Sequence, residues 1–64
     1  MNISIDDIIW LLNHATSYAI SKHCGLSTQA VDKYKHGTAD IMNMRLKHGL
    51  AMTKFAKELK QNNN

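Results

Sequence analysis

The chain has 64 residues and a net charge of +3, with no Pro, three Gly and one Cys. That length allows one domain with a modest core, and the lack of Pro argues against a turn-rich β fold. The single Cys24 rules out an internal disulfide and suits a reducing cytoplasm. No apolar run approaches the roughly 18 residues needed to cross a bilayer. Asp6 and Asp7 interrupt the first apolar segment, so no secretory leader is expected either. Charge is unevenly spread: all eight Lys and Arg lie from Lys22 onward, whereas residues 1–20 hold two acids and no Lys or Arg. A basic part joined to an acidic end suits a protein that turns one face to phosphates, with solvated lysines as the plain alternative.

Ser4 to Asp7 forms a capping-box-like start with acids in the first turn, where the helix dipole favours them. A first helix is predicted from about Ile5 to Asn13. Ile5, Ile8, Ile9 and Leu12 repeat at helical spacing and make one apolar stripe, with Trp10 and Leu11 to either side. Trp10 is read as covering the edge of the core, with a partner contact as the other reading.

The stretch from Thr16 to Gly37 predicts two short helices joined by a tight turn, and the rest of the chain is organised around it. Thr16 and Ser27 each stand just before an apolar-periodic run, where a hydroxyl can cap a helix start. The first helix is expected over Ser17 to Cys24 and the second from Thr28 to about His36, stopped by Gly37. Gly25 falls where a helix must end abruptly with positive φ. Ile20, Cys24, Leu26, Val31 and Tyr34 line the inside, and the small Ser21 lets the second helix approach closely.

The pattern Ile20-Ser21-Lys22, Gly25-Leu26-Ser27, Val31, Tyr34 and Gly37 resembles the helix–turn–helix of Cro/repressor-type regulators from phages, plasmids and bacterial chromosomes. The motif, residues 17–36, covers about a third of the chain. The resemblance implies an all-α, lambda-repressor-like domain of four or five helices over residues 1–60, with 61–64 as a frayed tail. Two departures stand out: Ser21 where the family usually carries Ala, and Asp32, an acid on the groove-facing side.

After the motif, Gly37 to Asn43 is expected as a loop pinned to the core by Ile41 and Met42. Asn43 is expected to cap a last helix running to about Lys60. Its apolar residues fall on two opposed sides: Met44, Ala51, Met52, Phe55 and Leu59 on one, Leu46 and Leu50 on the other. Either Gly49 breaks the segment or both sides are covered. We expect Leu46 and Leu50 in the core and Phe55 and Leu59 at a homodimer contact, because twofold pairing commonly covers surplus apolar surface.

Chemistry concentrates on the second motif helix. Thr28, Gln29, Asp32 and Lys33 project away from Ala30, Val31 and Tyr34 and are expected to contact bases. Gln can pair with adenine N6 and N7, Lys with guanine O6 and N7, and Thr offers a hydroxyl or a methyl. Asp32 could accept from cytosine N4, but a carboxylate near phosphates is costly unless paired, so holding Lys35 or His36 is the preferred role. By the family resemblance, Ser17 and His36 lie near phosphates. Tyr18, Lys22, Ser27, Lys35 and Arg45 are expected to help. His14, His23, Cys24, His36 and His48 are too scattered for a metal site, and no catalytic arrangement or cofactor motif is legible. The expected function is sequence-specific binding of double-stranded DNA, as a repressor at a palindromic operator. The absence of any further domain favours repression over activation, and no small-molecule effector or membrane partner is evident. The alternative is a protein-binding module on the same frame, such as an antitoxin or a phage-encoded inhibitor; an enzyme is not expected.

Overall fold

A computed structural model describes residues 2–62, which form four α-helices and one 3-10 turn and no strand. The protein is a small all-α domain. Helix α1 spans Ile5–His14, and the Ser4 hydroxyl accepts the Asp7 amide at 3.2 Å to cap it. Its buried face is Ile8, Leu11 and Leu12, rotated from the expected stripe, so Ile5 and Ile9 stay 38% and 43% exposed. The apolar arc of α1, from Leu11 round to Ile9, is wider than the face that packs, so periodicity alone could not select which part of it points inward.

Helices α2 (Ser17–Cys24) and α3 (Thr28–Lys35) form the expected pair, each started by a hydroxyl. Thr16 Oγ1 accepts from the Ala19 amide and Ser27 Oγ from the Ala30 amide, both at 3.1 Å. Between them Gly25 takes φ +82°, and its amide donates to the Ser21 carbonyl. The Ser21 hydroxyl donates to the Leu26 carbonyl at 2.5 Å, tying the turn to the helix before it. Ser21 thus does more than leave room. Ile20, Cys24, Leu26 and Val31 are buried, with Tyr34 half-buried against them.

The segment after the motif differs from expectation. A 3-10 turn covers Ile41–Asn43, capped by Asp40, whose carboxylate accepts the Met42 amide at 2.9 Å. Ile41 packs on the core, but Met42 is 72% exposed and pins nothing. Asn43 ends that turn rather than capping the last helix, because Met44 is extended and α4 begins only at Leu46.

Helix α4, Leu46–Asn62, runs unbroken through a buried Gly49. A Cβ there would meet the Ile3 and Ile8 side chains at 3.4–3.8 Å, ordinary contact distance, so the N-terminal segment packs against α4 at this point. Thr53, the one buried polar residue among those described, donates to the Gly49 carbonyl at 2.8 Å and accepts the Ser4 amide at 3.1 Å. It joins the cap of α1 to the middle of α4 and leaves no polar atom unmet. Lys60 pairs with Asp7 at 2.6 Å and sits 5.0 Å over the half-buried Trp10, holding the far end of α4 to α1. The hydrogen bond from Lys60 is the main reason the Asp7 carboxyl lies below its ordinary value.

Two expectations for α4 are overturned. Phe55 is buried in the core beside Met52 and Ala56, so it forms no free subunit contact, and the half-buried Leu59 packs on the same cluster. Leu46 is 65% exposed and Leu50 only half-buried, so they do not form the core side. The side carrying Met52 and Phe55 faces α1 and α2, which both pack on α4. The expected tail is also shorter, since Gln61 and Asn62 belong to α4, while residues 63 and 64 lie outside the described residues. Among the described residues no helix is long and apolar enough to cross a membrane.

Candidate nucleic-acid interface

With Val31 fully buried and Ala30 and Tyr34 half-buried, α3 presents Thr28, Gln29, Asp32 and Lys33 on its exposed side. The four expected base-reading residues therefore share one accessible face. The cap of α3, Ser27, uses an oxygen lone pair for the Ala30 amide and keeps its hydroxyl hydrogen for an outside acceptor. At the other end His36 is exposed and caps the helix.

On α2, Tyr18 is 66% exposed and Lys22 donates to its hydroxyl at 3.3 Å, with the ammonium also 5.5 Å above the ring. The Tyr18 oxygen accepts that bond, so its own O–H remains able to donate. Lys35 donates to the Ala15 carbonyl at 2.7 Å, just past the C-terminal end of α1. Two of its three ammonium hydrogens remain available, yet the residue also ties α3 to α1. Arg45 is exposed and lines an apolar groove of about 210 Å³ with Ile3, Ile5, Met42 and Leu46.

Asp32 does not hold Lys35 or His36, as its sequence spacing suggested. Its carboxylate accepts a hydrogen bond from the Ser17 hydroxyl, on the first residue of α2. Spacing along one helix could not reveal this, because the partner comes from the neighbouring helix.

Three of the five scattered His and Cys residues, His14, His23 and the buried Cys24, are engaged in packing. His23 stacks on Phe55 with centroids 4.3 Å apart and His14 on Trp10 at 4.5 Å. Burial, with a smaller contribution from Glu58, pushes the Cys24 thiol up to about 11. A thiol kept protonated in the core is a poor ligand and a poor nucleophile. Burial, helped by the charges of Lys47 and Arg45, lowers His48. Among the described residues no three of His, Cys, Asp and Glu gather as metal ligands would.

Sequence reasoning missed an apolar patch. Ile5, Ile9, Met42 and Leu46 are all exposed, and three of the four rim the groove beside Arg45. The signal was present in the apolar Met42 of a loop and in the two-sided pattern of α4.

No family model, curated protein or solved structure matches the chain.

Proposed function

We propose that the protein binds double-stranded DNA in a sequence-dependent way and represses transcription by occupying an operator. One observation carries this reading. A helix pair joined through Gly25 holds Thr28, Gln29 and Lys33 on one exposed face of α3, with Ser27 at its cap and Tyr18 and Lys22 exposed on α2. Amide, ammonium and hydroxyl groups on one helix match the acceptors and donors of base edges in a major groove. The flanking donors suit phosphates, which fix register without reading sequence. The resemblance of residues 20–37 to Cro/repressor-type regulators supports the same reading, and repression is its less direct part.

A single eight-residue α3 touches only a few base pairs, so a useful operator needs two half-sites about 10 base pairs apart and two copies of the protein. The subunit contact belongs on the patch of Ile5, Ile9, Met42 and Leu46 rather than on Phe55 and Leu59. That patch is flanked by Asp6 and Asp40 and by Arg45 and Lys47, all exposed. Apolar residues among charges of both signs suit a surface that pairs with itself about a twofold axis. A protein-binding module would instead expose apolar residues on α2 and α3, where Tyr18 is the only large one exposed.

Two substitutions separate reading from positioning. Gln29→Ala should lower affinity for the preferred site by about 1–3 kcal/mol more than affinity for random DNA. Lys22→Ala should weaken both alike and reduce the salt slope by about one unit. Lys22 is a cleaner probe than Lys35, whose loss would also free α3 from α1. Fluorescence anisotropy on both duplexes over a salt series reads out each effect. Identical behaviour of the two variants would refute the assignment of roles.

A further inference from the structure

We infer that Ser17 and Asp32 form one reading unit, in which the Ser17 hydroxyl aims the Asp32 carboxylate at an exocyclic amino group on a base edge, cytosine N4. The inference rests on the DNA-binding function proposed above and changes the part Ser17 plays in it.

A serine hydroxyl has one hydrogen to give. Here it goes to Asp32, so Ser17 cannot donate to a phosphate while that bond lasts. Phosphate oxygens only accept, and the lone pairs left on Ser17 have nothing to offer them. That bond takes the Ser17 hydroxyl away from phosphates and leaves any phosphate contact to its backbone amide, in the first turn of α2.

An acid on this face has a different logic. Asp32 is exposed, and no ion pair neutralises it among the described residues. Lys35, one turn away on the same helix, is turned to the Ala15 carbonyl instead. Set among phosphates, an unpaired carboxylate lowers affinity for any DNA, so its benefit has to lie in discrimination. An ionised carboxylate accepts through about four lone-pair positions, and Ser17 occupies one. The rest are left on a residue that is exposed together with Thr28, Gln29 and Lys33 on α3. The partner hydroxyl sits on the first residue of α2, whose start is fixed by the Thr16 cap. Asp32 is thus oriented from a second helix before DNA arrives, which reduces the entropy lost on binding.

The major groove offers a carboxylate only two kinds of donor, cytosine N4 and adenine N6. Adenine places its N7 acceptor beside N6, where it faces the second carboxylate oxygen unfavourably. Cytosine has no such neighbour on its own ring. The unit therefore selects cytosine at one position of each half-site.

The test compares wild type with Asp32→Ala, Ser17→Ala and Ser17→Thr. Each is titrated against the preferred duplex from a random-pool selection, every single-base-pair change of it, and random DNA. Wild type should prefer cytosine at one base pair by about tenfold or more. Asp32→Ala should remove that preference, leave the others, and bind random DNA more tightly, since a negative charge is gone. Ser17→Ala should weaken the same preference without changing binding to random DNA, and Ser17→Thr should restore it. Circular dichroism establishes that each variant is folded, and the threonine variant guards against a purely structural loss. Equal weakening of preferred and random DNA by Ser17→Ala would make Ser17 a phosphate contact and overturn the inference. An unchanged base profile in Asp32→Ala would overturn it as well, while leaving the DNA-binding function standing. A wild type with no preferred sequence would remove that function and this inference together.

Discussion

Phe55→Asp should unfold the domain rather than separate two subunits. The ring is 8% exposed, stacks on His23 and lies in the cluster with Met52 and Ala56. Truncating a buried Phe costs about 3–5 kcal/mol. Burying a carboxylate without a partner adds several more. A domain of this length holds a total of only about 3–10 kcal/mol, so the sum reaches or exceeds it. Loss of the cooperative thermal transition in far-ultraviolet circular dichroism is the expected result. A transition close to that of wild type would show that Phe55 is not in the core. Leu46→Asp makes the matching test on the opposite side. At 65% exposure Leu46 should accept the charge with little loss of stability, while sedimentation at micromolar concentration shifts from dimer to monomer. Wild type sedimenting as a monomer would contradict pairing of the free protein and leave assembly on DNA as the only route to a paired site.

Gly25→Val should lower stability by about 1–3 kcal/mol, the range for a residue forced into a sparsely populated backbone region. Gly25 has φ +82°, and nothing lies within 4 Å of where a Cβ would stand. The cost therefore comes from the backbone rather than from crowding, and a β-branched residue bears it most heavily. For a domain of this size each 1 kcal/mol lowers the melting temperature by about 4–8 °C. An unchanged midpoint would mean that the turn adopts another conformation. Because this turn sets α3 against α2, a variant that stays folded should also lose discrimination between preferred and random DNA.

How much of this was legible in the sequence differs from segment to segment, for physical reasons. Helix starts at Ser4, Thr16 and Ser27 were readable because a capping hydroxyl acts on amides two or three residues away, inside the reading window. Gly25 was readable for a similar local reason. Thr28, Gln29 and Lys33 were placed on the exposed face because buried Val31 fixes the phase of a short helix. The start of α4 differs from expectation because a 3-10 turn capped by Asp40 takes up Ile41–Asn43 and an extended Met44 follows it. Two opposed apolar sides on α4 leave its inward side open in the sequence, and only the packing of α1 and α2 on Met52 and Phe55 selects it. Gly49 and Thr53, four residues apart, mark the side that α1 approaches closely, and they are small and polar where an apolar stripe was sought. The partner of Asp32 was hidden altogether, since it lies on another helix.

Selection of bound sequences from a random pool of duplex DNA tests the central claim most directly. The protein should enrich a short palindrome whose half-sites lie about 10 base pairs apart, one for each copy of α3. Within each half-site Gln29→Ala should change the preferred base at one position. A pool that stays flat after several rounds, at a salt concentration where random DNA is still bound, would contradict sequence reading by α3 and turn the exposed face of this helix pair toward a protein partner.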